Sequence, residues 1–520
     1  MNIKSSAIRE IIVVGGGTAG WLAASHLAKK LGSKNSNAIQ VTLIESPDIP
    51  TIGVGEGTVP AIRNSLRYLG VSETDFIRAC DVTFKQSIKF VDWEKAPSHT
   101  NNKNYYHHLF DYPCIQPFDV SPYWLLHDCD GLSYADAVAI QGRICDLGLA
   151  PKKMTQCEYE GSTQYAYHLD AVKFAALLTQ HAVNNLGVKH QLANVQKARV
   201  DDAGNITSLM TDKGEFSADF FVDCSGFSAL LIGDTLSIPF IQKHSELFAD
   251  YALAAQVPYA QEGTPIPSYT ISTAKEAGWI WDIGLTSRRG TGYVYSSHYT
   301  NHERAEQVLR EYLGDAQGNI SCRKISMRVG YREKFWVNNC AAIGLSQGFV
   351  EPLEATGLLV YDATARMLAD LFPASEAEFA WAAKQFNEHT RNAWDKVIDF
   401  VKLHYFISQR EDTDFWRDNR KTETASDRLL ANLEAWRYQL PNDYDFSSRM
   451  EIFNLENYLY VLYGMNYPTD LSSRQSRYAD TKRAQELMRI VERKAQSCIQ
   501  DLLPHRELID RIKRFGLQRI

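Results

Sequence analysis

Gly15, Gly17 and Gly20, interleaved with Gly16, Thr18 and Ala19, have the spacing of a loop that cradles a phosphate anion. In such a loop the first glycine permits a tight turn, the second lets backbone approach a pyrophosphate, and the third lets a helix pack closely on the preceding strand. Unpaired N–H groups at the start of that helix receive the anion. Glu45 ends the next apolar run, where a carboxylate can accept both hydroxyls of an adenine ribose. Together these residues predict a dinucleotide site. A second anion seat is predicted at Thr356 and Gly357, whose amides fall where a helix begins, with Glu354 beside them. Glu354 can equally be read as an ordinary helix-start residue.

The elements that must position these residues follow from patterning. Ile11–Val14 reads as a strand running into the glycine loop and a helix, and Gln40–Ile44 as the strand that delivers Glu45. The stretch from Ser46 to Pro60 is too rich in glycine for a helix and too polar for a buried strand, so it is expected as a loop, its alternate glycines pressed against a flat ligand. Helices are expected over Ala61–Leu69 and Glu73–Cys80. One strand should then run from Val82 to Trp93, with Thr83, Lys85, Ser87 and Lys89 on one face and Phe84, Ile88 and Phe90 on the other. Periodicity alone favours a solvated face for Lys85.

Further on, Asp170 caps a helix, and short strands close on Phe220–Asp223. Strands predominate from Pro239 to Arg328, consistent with an antiparallel sheet. Trp279 and Trp281 lie two apart on one of these strands, so both face the same side and build a bulky, dry partition. A strand, loop and helix recur from Cys340 to Leu371, and the remainder is mostly helical, with aromatic clusters at Phe400–Phe406 and Phe453–Tyr467. The fold class is therefore α/β: a Rossmann-like three-layer dinucleotide-binding domain with an antiparallel sheet region and a mainly helical C-terminal lobe. The expected division is a core over 1–375, carrying inserted segments at about 95–165 and 239–328, and a helical substrate-side lobe over 376–520.

Composition limits the rest. A chain of 520 residues with 45% apolar content can bury a large core. A net charge of −7 with no long basic run gives no footprint for nucleic acid or an anionic membrane. No apolar run approaches the roughly 20 residues that span a bilayer. The first strand begins too early to leave space for a signal peptide. Nine scattered cysteines without a Cys-x-x-Cys pair point to reduced thiols and a cytoplasmic setting. The adjacent His107 and His108, without further ligands at metal spacing, make a poor metal site and fit better as part of an aromatic wall around a planar substrate, with packing between lobes an equally simple explanation.

Four features taken together resemble the flavin-dependent tryptophan halogenases. They are the Gly15-x-Gly17-x-x-Gly20 loop, Gly53-Val54-Gly55-Glu56-Gly57-Thr58 with Lys85 downstream, Trp279-x-Trp281-x-Ile283, and Phe349-x-Glu351-Pro352-Leu353-Glu354-x-Thr356-Gly357. The likeness runs from the first strand to about Leu371. It implies that FAD, supplied reduced by a separate NAD(P)H-dependent flavin reductase, reacts with oxygen and with chloride or bromide to give hypohalous acid, which travels through the protein to Lys85. Lys85 would hold the halogen by hydrogen bonding or as a haloamine, and Glu354 would assist transfer and take up protons. By the same resemblance FAD would contact Gly15, Gly17, Thr18, Ala19, Gly20, Glu45, Ile52, Gly53, Leu345, Thr356 and Gly357, and halide would sit on the amides of Thr356 and Gly357. Trp279 and Trp281 would separate flavin from substrate, and His108, Phe110 and Tyr463 would contact an indole-type aromatic.

Two positions depart from the family pattern: Gly284 stands where the signature usually has proline, and is expected to loosen the strand's exit, and Ala355 replaces a serine. The C-terminal third matches the family's tryptophan-binding pattern loosely, so a bare indole, a phenol or a larger, carrier-bound aromatic is expected in preference to free tryptophan. The resemblance also allows a homodimer. The alternatives are an FAD-dependent aromatic monooxygenase, which the Trp279/Trp281 wall and Lys85 argue against, and a flavin-binding protein without turnover.

Overall fold

Four consecutive apolar residues, Ile11–Val14, cannot be left in water, and they form the centre of a sheet covered on both faces. The computed structural model describes residues 7–519 apart from 36–37, 50–54, 98–103, 115, 128–130, 316–317, 447 and 449. Within it β1 (Glu10–Val14) pairs in parallel with β2 (Gln40–Glu45) on one side and with Phe220–Asp223 on the other. Lys189–Leu192 and Cys340–Ala342 extend the parallel sheet, and Trp336–Val337 closes one edge as an antiparallel strand. Between β1 and β2 the helix Thr18–Leu31 packs its alanine-rich face against the later helix Thr356–Asp370. The crossing is pinned by His26 Nε2 on Asp362 Oδ1 at 2.8 Å, and the Ser65 hydroxyl donates to the other oxygen of the same carboxylate.

The segment expected as a loop after Glu45 contains a strand, β3 (Gly55–Gly57). Its backbone finds a partner in β7 (Ala166–Asp170), with Gly55 opposite Asp170 and Gly57 opposite His168. The expected single strand from Val82 to Trp93 is broken in two. β4 (Thr83–Lys85) pairs with β7, whereas β5 (Ser87–Val91) pairs in parallel with Thr270–Lys275 and antiparallel with β6 (Tyr105–Leu109). Gln86 is the joint. Its N–H donates to Ser268 O, and its side-chain amide donates to Leu149 O and Ser268 Oγ while accepting from Thr163 Oγ1. With every polar atom satisfied off the ladder, the chain can change sheets inside the core.

β5 and β6 complete the sheet predicted over 239–328, making seven strands in all. Gly278–Gly284 lies in its middle between Thr270–Lys275 and Arg288–Tyr295. From Phe379 onward the chain is helical. The helix Phe379–Phe406 buries its last turns under the seven-stranded sheet, and one apolar cluster runs continuously from Ile11 to residues of the final helix, His505–Phe515. Among the described residues no helix is long and apolar enough to cross a membrane.

Candidate active site

The glycine loop has the shape its spacing predicted. Gly15 has φ of +118°, and a Cβ there would lie 2.2 Å from Cys224 O; a Cβ on Gly20 would lie 1.9 Å from Gly15 O. Only glycine fits either position. Gly17 faces open space at the start of the helix, with no side-chain cap on the free amides of the first turn, which includes Thr18 and Ala19. The Glu45 carboxylate overhangs Gly16 and accepts from His190 Nε2 at 2.9 Å, and so it is held at the end of β2 above the loop. Leu345 lies in the turn after Cys340–Ala342, where Gly344 approaches Ala19. An open cradle, free amides and a fixed carboxylate fit the pyrophosphate and ribose of FAD. Ile52 and Gly53 lie outside the described residues.

Lys85 is not on a solvated face. With only 1% of its surface exposed, it sits at the end of β4, and Thr83 and Ser87 are buried as well. The face that periodicity assigned to water is buried: Thr83 Oγ1 donates to Gly284 O, and Lys85 reaches across β7 toward Gly57 of β3. Its ammonium nitrogen lies 5.3 Å from the centre of the Phe110 ring and 3.3 Å from where a Cβ on Gly57 would be. It makes no hydrogen bond with any described residue. Burial therefore lowers its pKa to about 7, against the opposing pull of the Glu354 carboxylate. The neighbouring His168 is kept neutral by burial and by Lys85, and its Nε2 pairs with Thr270 Oγ1 at 2.8 Å.

Glu354, 1% exposed, is clamped by two imidazoles. His108 Nδ1 lies 2.9 Å from each of its oxygens, and His404 Nε2 lies 2.8 Å from Oε1. Phe400 O, one helical turn back, and the Glu354 carboxylate can each only accept, so both contacts of His404 are made by ring N–H groups, Nδ1 to Phe400 O and Nε2 to Glu354. Burial works to raise the carboxyl, but His108 and His404 outweigh it and hold Glu354 down at about 2. His108 is held in turn by Asn457, whose Nδ2 is 3.0 Å from His108 Nε2. Both ring nitrogens of His108 are thus engaged, leaving its face, which packs by Phe400 and Tyr460. Tyr463 is not brought to this cluster. Its ring packs on Trp124 and Tyr134, and its hydroxyl is 3.5 Å from Thr469.

Trp279 and Trp281 stand side by side, ring centres 6.5 Å apart, the first buried and the second half-buried over Gly292. Behind them Trp93 links Trp279 to His404, so the wall and the Glu354 clamp share one packed aromatic group. Gly284 does not loosen this strand. Its carbonyl accepts from Thr83 Oγ1 at 2.6 Å, and a Cβ there would meet Ile266 at 2.5 Å, so it lets the strand close on its neighbour. Ala355 is in the left-handed region (φ 55°) at the cap of the Thr356–Asp370 helix and offers no side-chain acceptor. The amides of Thr356 and Gly357 accordingly have no acceptor among the described residues, and the fully buried Thr356 Oγ1 also lacks a partner. Donors left free at a helix start are of the kind that can receive an anion.

Sequence reasoning missed His404 and Asn457, which complete the Glu354 clamp from the C-terminal helices; the only signal was His404's place inside the aromatic run Phe400–Phe406. It also missed His505, whose Nε2 accepts the Phe84 N–H at 2.9 Å and fixes β4 from the last helix.

The family model described as tryptophan halogenase matches residues 10–481. Tryptophan 6-halogenase SttH of Streptomyces toxytricini is 37% identical over 455 residues, 83% of this chain and 84% of that protein. Tryptophan 7-halogenase RebH of Lentzea aerocolonigenes is 33% identical over 496 residues, 90% of this chain and 92% of that protein. The crystal structure of a tryptophan halogenase from Shewanella frigidimarina superposes with a TM-score of 0.95 at 42% identity, covering 99% of each chain. With a glycine-loop cradle, a buried lysine and relatives matched over more than four-fifths of their length, the chain belongs to the tryptophan halogenase family and is a flavin-dependent halogenase.

Proposed function

We propose that this enzyme uses FAD and chloride or bromide to halogenate an electron-rich, indole-type aromatic, with Lys85 carrying the halogen and Glu354 handling the proton. The observation that supports this reading best is the pairing of a buried lysine that has no hydrogen-bond partner among the described residues with a carboxylate clamped by two histidines, beside the Trp279/Trp281 wall. Reduced FAD, when bound and supplied with oxygen and halide, furnishes hypohalous acid. The glycine loop and Glu45 bind its nucleotide end, and the amides of Thr356 and Gly357 receive the halide.

With its pKa at about 7, Lys85 is neutral in a large fraction of molecules at neutral pH, whereas an exposed lysine is almost wholly charged. The neutral amine can condense with hypohalous acid, forming an N–halogen bond and releasing water. The ammonium form can instead donate a hydrogen bond to the acid. When halogen passes to the aromatic carbon, Glu354, ionised at this pH, accepts the displaced ring proton and returns it to the amine. The two histidines keep that carboxylate oriented, and the dry wall keeps water from consuming the oxidant.

The tyrosines of Leu455–Gly464 on which an indole sandwich would draw, Tyr458, Tyr460 and Tyr463, are buried in packing, which supports a preference for a bare indole, a phenol or a larger aromatic over free tryptophan. A partner flavin reductase supplies the reduced cofactor. The test is purified protein with FAD, a flavin reductase, NADH, oxygen and bromide, offered a panel of indoles, phenols and tryptophan and read by product mass. A mass shift of one bromine on an indole-type substrate is expected. Hydroxylated product instead would favour a monooxygenase, and no product from any aromatic would count against the proposal.

A further inference from the structure

Most partners in the Glu354 clamp can play only one hydrogen-bonding role, and this fixes where its protons lie. The backbone N–H of Asn454 donates to Asn457 Oδ1 at 2.8 Å, so the other end of that amide, Nδ2, is the atom that faces His108 Nε2 at 3.0 Å. An amide nitrogen only donates, and His108 Nε2 is therefore bare. The one ring proton of His108 sits on Nδ1, which lies 2.9 Å from each oxygen of Glu354, and the ring is neutral.

His404 differs. Its Nδ1 lies 2.8 Å from Phe400 O and its Nε2 2.8 Å from Glu354 Oε1, a carbonyl and a carboxylate that both accept. Each nitrogen then carries a proton, which makes the ring an imidazolium. Its surroundings suit a cation. The side chain is fully buried, with the ring centres of Phe90 and Phe400 at 4.9 and 5.1 Å, inside the roughly 6 Å over which aromatic rings draw in a cation. Trp93 closes a third side at 6.1 Å. Neighbouring charged groups on the same stretch of helix are engaged elsewhere: Lys402 Nζ lies 3.0 Å from Asn419 Oδ1, and the Tyr405 hydroxyl serves Glu351 at 2.5 Å. Among the described residues no lysine or arginine is ion-paired with Glu354, whose charged partner is His404.

Resting on the reading of Glu354 as the group that takes up the ring proton, we infer that His404 is a positioning residue that serves as the fixed counter-charge of this carboxylate, whereas His108 is a neutral donor. The charge keeps Glu354 ionised where burial alone would protonate it. The same arrangement closes the clamp to proton relay, since His404 has no bare nitrogen and the one on His108 is occupied by Asn457. A proton accepted by Glu354 must leave on the side away from the histidines. Oε2, bonded once where Oε1 is bonded twice, has the spare lone pair for it.

The first test is neutron diffraction from deuterium-exchanged crystals of the FAD-loaded wild-type protein at neutral pH, which locates each ring deuteron and needs no variant. Deuterons are expected on both nitrogens of His404 and on Nδ1 alone of His108. A bare nitrogen on His404, or a second deuteron on His108, overturns the inference. The second test is kcat for bromination of an indole against pH at saturating halide. In His404→Gln, which keeps a donor but no charge, Glu354 holds protons more tightly, so the acid limb of the profile should move up by about one pH unit. His108→Gln, which removes no charge, should leave the limb in place. Visible absorbance of bound FAD checks that both variants are folded. A merely structural His404 would lower the thermal midpoint without moving the limb, and that result overturns the counter-charge. If wild-type protein halogenates no aromatic, the reading of Glu354 falls, and the deuteron positions still decide the charge on His404.

Discussion

The nucleotide cradle and the Lys85 site each set a carboxylate beside a polar partner, yet they are made in opposite ways. Gly15, Gly17, Gly20 and Glu45 come from one unbroken strand–helix–strand stretch, and their carboxylate is half-buried and paired with a single histidine. Lys85, His108, Glu354, His404 and Asn457 come from five separate segments, and their carboxylate is fully buried between two histidines. A binding site that must only hold a ligand can be local and partly wet. A site that must hold a reactive halogen has to be dry, which requires distant elements to close over it.

If this contrast is right, damage to the two regions should differ in kind. Lys85→Ala should lower halogenation of every aromatic by more than about 10³-fold, the scale for removing a group that carries the reacting atom, while FAD affinity stays unchanged; product mass and a flavin titration check both halves. Glu354→Gln should cost about 10²-fold in kcat, since a positioned proton acceptor is worth at least that much and water can replace it in part.

The pH profile sharpens the same point. At saturating halide, activity should rise as pH passes upward through about 7, because the deprotonated fraction of Lys85 grows there. A flat kcat profile from pH 6 to 8 would show that the amine's protonation does not matter. His404→Leu leaves the buried Glu354 short of one donor and should destabilise the fold by about 1 to 3 kcal/mol, measurable in the thermal midpoint.

The smallest effect on turnover falls on the nucleotide side. Glu45→Ala should weaken FAD binding by about 1 to 3 kcal/mol, the range for charge-assisted hydrogen bonds, with fold and halogen transfer intact at saturating FAD.

The same contrast explains what could be read from the sequence. The cradle was legible because its glycines answer to neighbours within the motif or on the adjoining strand, as Gly20 does to Gly15. Helix boundaries such as Ala61–Leu69 and the Asp170 cap were legible for the same reason. Lys85 was not: period two placed it with Lys89, and only Lys89 reaches a surface carboxylate, Asp146 at 2.8 Å. The break at Gln86 that sends the two lysines into different sheets depends on Leu149, Thr163 and Ser268, which no local pattern reveals. Family resemblance supplied Lys85 and Glu354, but His404 and Asn457 needed the packed helices to bring them within reach. His108, read as a substrate contact, proved to be bound at both nitrogens.

The central claim is that halogen reaches the substrate through Lys85 and not by free diffusion. The most direct measurement gives the Lys85→Ala protein reduced FAD, oxygen, bromide, an indole substrate and a water-soluble 1,3-diketone that traps hypohalous acid. The account predicts that the variant still binds FAD, leaves the indole unmodified, and brominates the trap as oxidant escapes, whereas wild-type protein brominates the indole and spares the trap. Bromination of the indole by Lys85→Ala at near wild-type rate and at the same ring position would contradict it.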